Sequence, residues 1–558
     1  MSQKVSQKKQ PRTHPRGRKT EPKALEEVCA LLGGAPRGRE LLIEHLHRLQ
    51  DRYGGLRNAH LTALAQELGL APVEVFEVAS FYHHFDLLGD GTEPAVLTVR
   101  VCDSLSCSLS GAEQLARELE GRLGKQVRIQ RVSCVGRCAG APVAVVGANP
   151  LERATAESVA AAVEAGTTRC PVLTPVDYRS YRGRGGYGHL RALQRDASPD
   201  AVEGLIATLE RAGLRGLGGA GFPAGRKWRA VSNFSGPRLM AVNIDEGEPG
   251  TFKDRHYLER EPHRVLEGML IAARAVEAQA VYIYLRDEYA GCRTMLVAEL
   301  EALRADPPGP IPPIHLRRGA GAYVCGEESA MLESIEGRRG LPRGRPPYVA
   351  QQGLFGRPTL VHNLETLYWI PEILERGADR FLAGGRSGRR GLRTFSVSGR
   401  VRRPGVYRAP AGIGARELID EYCGGMQEGH RFKAYLPGGA SGGILPAELG
   451  HLPMDFDTLA EQGCFLGSAA LIVLSDRDSV RGAVLNALRF FARESCGQCT
   501  PCRAGTVRAV ELLQQPACDR SLLEELCEVM AEASICGLGQ GAANPLRCLL
   551  RHFPEELE

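Results

Sequence analysis

The chain of 558 residues is 43% hydrophobic and 24% charged, which supplies apolar mass for several packed cores rather than one. Its net charge of +5 is concentrated at one end: residues 1–20 carry seven Lys or Arg and no acid, so the remainder is near neutral and lacks the clustered basic and aromatic pattern of a nucleic-acid surface. No stretch approaches the roughly 18 unbroken apolar residues of a membrane span, and no apolar core of a secretory signal follows the basic start, so the expectation is a soluble, cytoplasmic protein without membrane insertion.

Residues 1–37 read as a disordered basic arm. Over 38–92, Leu41, Leu42, Leu46 and Leu49 share one helical face, and the Pro of PVEVFEVASFY suits a first helical turn, which predicts a helical head. Over 93–166, the strand-like AVLTVRVC, QVRIQRVSC and APVAVVG alternate with helices near 110–123 and 154–165, the order of a small α/β layer resembling thioredoxin. The Arg/Gly/Pro-rich TTRCPVLTPVDYRSYRGRGGYG places a linker at 167–199. A second α/β domain spans 200–387, with RLMAVNIDEGEPG and AVYIYLRDEY as strand-then-turn segments. Short strands and Gly/Pro turns make 388–474 a β-rich module, and VRGAVLNALRFFAR opens a helical domain over 475–558. The fold class is therefore multidomain α/β.

Seventeen cysteines in a chain with no secretory signal are expected to stay reduced, and their spacing is informative. Cys102 and Cys107 follow one strand with four residues between them, and Cys134 and Cys138 follow another with three. Zinc thiolate pairs favour two intervening residues, so two strand-end loops carrying four thiolates point to a [2Fe–2S] cluster. Cys496, Cys499 and Cys502 form C-x2-C-x2-C after a helix, three ligands of a [4Fe–4S] cluster that needs a fourth. Cys536, in SICGLGQGAANP, is preferred because its glycines let backbone approach a cluster. Cys527 falls on an apolar helical face in LLEELCEVM, and Cys518 and Cys548 remain weaker alternatives. Cys29, Cys170, Cys292, Cys423, Cys464 and Cys325 read as packing residues.

Three Gly-rich segments are candidates for a ligand site. GLRGLGGAGFPAGRKW contains Gly216, Gly218 and Gly221 in a formal G-x-G-x-x-G, but a helical pattern precedes it, so it is no dinucleotide fingerprint. Its glycines still suit close approach of backbone to a ring or phosphate, with Lys227 following as a point charge. NIDEGEPGTFKDR gathers Asn243, Asp245, Glu246 and Glu248 in a turn after a strand, a ligand site or a solvated acidic turn. GAGAYVCGEESAMLESIEG opens a helix whose amides suit phosphate, although Glu327 and Glu328 there also fit plain compensation of the helix dipole.

Together these segments, with HNLETL and ESCGQCTPCRAGT, resemble two subunit types of complex I-like NADH dehydrogenases fused in one chain. Residues 38–165 are similar to the small [2Fe–2S] subunit and 200–558 to the flavin-bearing NADH-oxidising subunit, and the fusion looks most like the β subunit of soluble molybdenum- or tungsten-type NAD-dependent formate dehydrogenases. The resemblance implies FMN held by Gly216, Gly218, Gly219, Lys227, Asn243, Asp245, Gly326, Glu327 and Asn363, and NAD(H) shaped by Phe222, Glu246, Glu248, Glu328 and Tyr348. It implies a ubiquitin-like (SLBB) spacer without chemistry at 388–474. It also implies a diaphorase passing electrons between iron–sulfur clusters and NAD, by hydride exchange with the flavin and no essential protein acid or base. A catalytic α subunit with a molybdenum or tungsten pterin and further Fe–S clusters would be the partner; the alternatives are the diaphorase subunit of a NAD-reducing hydrogenase and a complex I NADH-oxidising subunit. Three residues depart from the family's pattern: Leu217 in place of Arg, His362 in place of Asn and Arg345 in place of Lys.

Overall fold

The computed structural model describes residues 19–89, 91–196 and 198–557, so residues 1–18 of the expected basic arm lie outside the described residues. The chain divides into two units, one reaching Pro94 and including residues 336–339, the other holding the rest. In the first unit, helices Pro22–Leu32, Leu42–Tyr53, Asn58–Leu68 and Pro72–Phe81 form the helical head. Residues 22–32 of the expected arm are helical instead: Ala24, Val28 and Leu32 recur every fourth residue and bury one face of a helix that Pro22 opens. Basic composition upstream masks that periodicity. Leu42, Leu46 and Leu49 are fully buried, whereas Leu41 sits half-buried in the short turn before their helix.

The second unit begins with β1 (Leu97–Cys102), β2 (Val127–Val132), β3 (Val143–Val146) and β4 (Asn149–Glu152), in the sheet order β2-β1-β3-β4. β1 and β2 run parallel with Cys102 opposite Val132, so the cysteine loops leave the same end of neighbouring strands. β4 is an addition to the expected elements. It closes a hairpin with β3 through a two-residue turn in which Gly147 takes a φ of 63°.

The expected linker is largely folded. Helices Tyr178–Gly183 and Gly188–Arg195 bury Tyr178, Tyr181, Tyr187 and Leu190 in the core of the next domain. Tyr181 donates to Glu267 (2.6 Å), and the Tyr187 hydroxyl bonds His263 Nδ1 (2.7 Å). Arg and Gly dominate this segment's composition, but its tyrosines carry the packing.

Four parallel strands follow, β5 (Arg238–Ile244), β6 (Ala278–Leu285), β7 (Ile314–Arg318) and β8 (Thr359–Asn363), ordered β8-β5-β6-β7. Helix α1 (Lys253–Arg260) packs on α2 (Pro262–Ala275) and α3 (Leu364–Arg376), which in turn pack against these strands. Parallel strands put functional loops at their carboxyl ends, and Asn243 stands opposite Asn363 at that edge. Both tryptophans, Trp228 and Trp369, are buried in this domain's core.

The last region joins a mixed sheet to a helical bundle. β9 (Leu392–Gly399), β10 (Gly405–Pro410), β11 (Phe432–Leu436), β12 (Leu445–Pro446) and β13 (Ala470–Ser475) order as β10-β9-β13-β11-β12. α4 (Val480–Glu494), α5 (Thr500–Leu513), α6 (Arg520–Ala533) and α7 (Gly537–His552) pack beside it. Phe395, Leu471, Val484, Leu512, Leu523 and Leu549 belong to one continuous apolar core, so sheet and bundle are a single packed body.

Candidate functional site

The carboxyl edge of the parallel sheet opens on a cavity of about 290 Å³ lined by Gly218, Gly219, Asn243, Asp245, Glu246, Glu248, Gly326, Glu327 and Asn363 from among the expected residues. Backbone forms one wall: Gly219 has a φ of 129°, and a Cβ on Gly218 would come within 3.0 Å of the Asn363 side chain. Asn243 donates to Gly326 O (2.8 Å) and accepts from Asp245 N (2.9 Å), which ties two of the glycine-rich segments together. Asp245 Oδ2 is buried without a hydrogen-bond partner, and burial holds its carboxyl well above the usual range despite Arg286. An orphaned buried acceptor beside bare backbone suits a flat ligand that brings N–H donors, so these residues fit a flavin ring.

Five expected residues lie off the cavity wall. Gly216 closes the first glycine loop by donating to Phe222 O (2.8 Å) and accepting from Gly221 N (3.1 Å). Lys227 donates to Val361 O (3.1 Å) and pairs with Glu328 (3.2 Å). Arg345 in turn reaches Glu328 (3.3 Å) and Glu327, which carries this chain of charges back to the wall. Phe222 is 51% and Tyr348 57% exposed.

Of the two readings of the third segment, the hydrogen bonds favour compensation of the helix dipole. Glu327 Oε2 itself accepts from Ser329 N and Ala330 N (both 2.9 Å), so the first helical amides are capped by protein. The other two family departures are also accommodated: Leu217 packs against the core, and His362 is buried, held neutral at about 3 by burial with Lys227 adding, and accepts from Trp228 Nε1 (2.7 Å).

The floor is a buried ionic network outside the expected site residues, although Lys253 and Asp254 lie in DEGEPGTFKDR. Lys253 pairs with Asp254 (2.9 Å) and Glu365 (2.8 Å); burial opposes its charge, but the two carboxylates outweigh it and hold the ammonium above its ordinary value. Glu246 is occupied by structure: it accepts from Asp254 N (2.7 Å), Arg255 N (3.1 Å) and Tyr289 OH (2.7 Å), capping α1. Burial, with Asp254 adding and Lys253 opposing, pushes its carboxyl up to about 7 from 4.5. The folded chain therefore keeps a proton that the unfolded chain has released, so this group's contribution to stability falls as pH rises from 4.5 to about 7 and is flat above. Glu246→Gln is expected to flatten that slope in urea unfolding followed by tryptophan fluorescence; an unchanged slope refutes the assignment.

The spacer expectation also fails. Ser441, Phe465, Gly467 and Ser468 of the β-rich module line the cavity, and Ser441 N and Oγ both donate to Glu248 Oε1 (2.7 and 2.9 Å). Glu248 Oε2 accepts from Tyr323, and burial raises its carboxyl. The Gly-dense PGGASGG around Ser441 was the available signal.

Cys102, Cys107, Cys134 and Cys138 are all buried, with Cys134 and Cys138 sulfurs 3.3 Å apart. Arg286 donates to Cys134 O (2.6 Å) and Arg255 to Gly136 O (2.9 Å), so the parallel-sheet domain holds this loop. A Cβ on Gly136 would collide with Tyr289.

At the other centre, Cys499 and Cys536 are the N-cap residues of α5 and α7, and Cys502 lies in the first turn of α5. Helix N-termini favour thiolate charge. Burial pushes the Cys502 thiol up to about 11; the Ser495 hydroxyl opposes this, while Cys499, Cys536 and Cys496 add to it. Four sulfurs that sense one another need a cation to stay ionised together, and the iron of a bound cluster would supply it. Cys527 instead bonds Ala543 O from the core, and Cys548 lies 3.4 Å from Cys464. Among the described residues no helix is long and apolar enough to cross a membrane.

Sequence profiles of four families match successive segments: a thioredoxin-like [2Fe–2S] ferredoxin over 28–167, the Nuo51 FMN-binding domain over 209–372, the SLBB domain over 394–445 and the NADH-ubiquinone oxidoreductase-F iron–sulfur binding region over 482–558. The F 2 subunit of the NADH-quinone oxidoreductase of Rhizobium meliloti (strain 1021) is 41% identical over 392 residues, 68% of this chain and 92% of the relative. The mitochondrial NADH-ubiquinone oxidoreductase 51 kDa subunit of Neurospora crassa is 41% identical over 376 residues, 63% of this chain and 76% of that one. Among solved structures, a chain of the NAD+-reducing [NiFe]-hydrogenase in its H2-reduced state superposes with a TM-score of 0.81 at 32% identity, covering 94% of this chain and 93% of that chain.

Proposed function

Because the chain belongs to the family of the NADH-quinone oxidoreductase F subunits and their 51 kDa counterparts, FMN- and iron–sulfur-bearing proteins that exchange electrons with NAD(H), we propose that it is the diaphorase subunit of a multi-subunit complex that reduces NAD+ with electrons drawn from a small oxidisable substrate. One observation carries this reading. Gly537 and Leu538, which line the cavity, directly follow Cys536, a ligand in the [4Fe–4S] assignment, so the ligand site and the cluster share a wall. When bound, FMN exchanges two electrons with NAD(H) and single electrons with clusters.

The chain's own residues position and insulate. Gly218 and Gly219 would offer backbone to the ring, Asp245 Oδ2 would accept an N–H from it, and Lys253, paired with Asp254 and Glu365, closes the floor. Phe222 and Tyr348, exposed where large aromatics are usually buried, supply faces for the nicotinamide and adenine. Cys102, Cys107, Cys134 and Cys138 hold the [2Fe–2S] cluster, and Cys496, Cys499, Cys502 and Cys536 the [4Fe–4S] cluster.

The family resemblance suggests a partner of the formate-oxidising molybdenum or tungsten type. The hydrogenase chain that aligns over 94% of this chain and 93% of its own favours a second reading, in which the partner oxidises H2 at nickel and iron. Anaerobic mixing of the purified complex with NADH is expected to bleach the flavin band within the dead time or shortly after; absence of bleaching overturns the diaphorase reading. Metal analysis of the co-purified large subunit then chooses the partner: molybdenum or tungsten supports the first reading and nickel the second.

A further inference from the structure

Two consecutive side chains at the end of α4 grip both cysteine loops of the [2Fe–2S] site. Arg493 makes a two-pronged ion pair with Asp103 (2.6 and 2.7 Å), the residue after Cys102. Glu494, 7% exposed, accepts from Ser133 Oγ (2.6 Å), the residue before Cys134. Its other oxygen accepts from Tyr323 N (3.0 Å) in the cavity wall. Asn486, two turns earlier on the same helix, donates to Asp103 O (2.8 Å), and Asp103 N donates to Val132 O (3.0 Å), which closes the ring between the two loops. The same helix leads within two residues to Cys496.

We propose that the Arg493–Glu494 pair positions the [2Fe–2S] cluster, setting its potential and retention by clamping Asp103 and Ser133, and so couples it to the helix that presents the [4Fe–4S] ligands. The proposal rests on Cys102, Cys107, Cys134 and Cys138 binding the binuclear cluster; a wild-type holoprotein without a [2Fe–2S] EPR signal overturns that reading separately.

The physical expectation has a sign. Asp103→Asn leaves the Arg493 cation unpaired beside Cys102 and favours the more negative, reduced cluster, so the midpoint potential rises. Arg493→Gln leaves Asp103 unpaired and lowers it. The double variant removes both charges and returns the midpoint toward the wild type. Ser133→Ala changes no charge but frees the Cys134 loop from Glu494. Residues that orient metal ligands typically contribute roughly 10–100-fold to metal affinity, so chelator-driven loss of the [2Fe–2S] signal is expected to quicken by about tenfold or more. Both readouts are taken on the full chain by EPR, with the [4Fe–4S] signal recorded in the same samples. Single variants that shift the midpoint in the same direction, or leave both midpoint and chelator release unchanged, overturn the proposal. Opposite shifts that cancel in the double variant, with faster release in Ser133→Ala, establish it.

Discussion

A Cys536→Ala chain is expected to lose the [4Fe–4S] EPR signal entirely while the [2Fe–2S] signal persists. Cys536 and Cys499 cap two helices whose N-termini meet, and the fit there is close: a Cβ on Gly539 would come within 2.9 Å of Cys502 Cβ. Removing one of four thiolates opens a cluster edge to water, and the other downstream candidates are engaged elsewhere: Cys518 Sγ bonds Leu512 O (3.6 Å). Cys527 is buried against Ala543 and Cys548 against Cys464, both inside the apolar core. Cys527→Ala is the control and should keep both signals. Iron and acid-labile sulfide on the same samples check the assignment; a full [4Fe–4S] signal in Cys536→Ala, or its loss in Cys527→Ala, moves the fourth ligand elsewhere.

Lys253→Met is expected to destabilise the flavin domain by about 3–5 kcal/mol, the usual cost of removing one partner from a buried ion pair. Asp254 and Glu365 are each about as buried as Lys253 itself, with side chains 2% exposed. Methionine fills the volume but leaves two carboxylates facing each other without a cation. Trp228 and Trp369, the chain's two tryptophans, both lie in this domain's core, so urea unfolding followed by their fluorescence reads it alone. Adding Glu365→Gln removes one orphaned charge and should recover part of the loss. A urea midpoint indifferent to Lys253→Met would mean the network is solvated and contributes nothing.

Local spacing announces the cysteine loops because a strand end and a short turn suffice to define them. The acidic turn is legible for the same reason: Asn243 at the end of a β-rich run, with Asp245 and Glu248 just after it, reach the cavity together. Chemistry assembled across long sequence separation is invisible. Ser441 meets Glu248 193 positions away, and Glu494 meets Ser133 361 positions away, and neither residue type is unusual where it stands. Composition misleads at two places. Arginines hide the packed tyrosines of the supposed linker, and a basic start hides the Ala24, Val28 and Leu32 stripe. Glu246 and Glu327 line the cavity as expected and also cap helices, a second use of the same carboxylates that only hydrogen-bond partners reveal.

The apolar interior common to β9–β13 and α4–α7 constrains how such a protein can change over evolutionary time. Swapping the iron–sulfur helices alone between homologues would strip Phe395, Leu471 and their neighbours of cover, so the smallest segment that can be exchanged without repair is the sheet and bundle together. Inheritance of this iron–sulfur region should therefore follow the boundary near residue 388, not the one suggested by the cysteines.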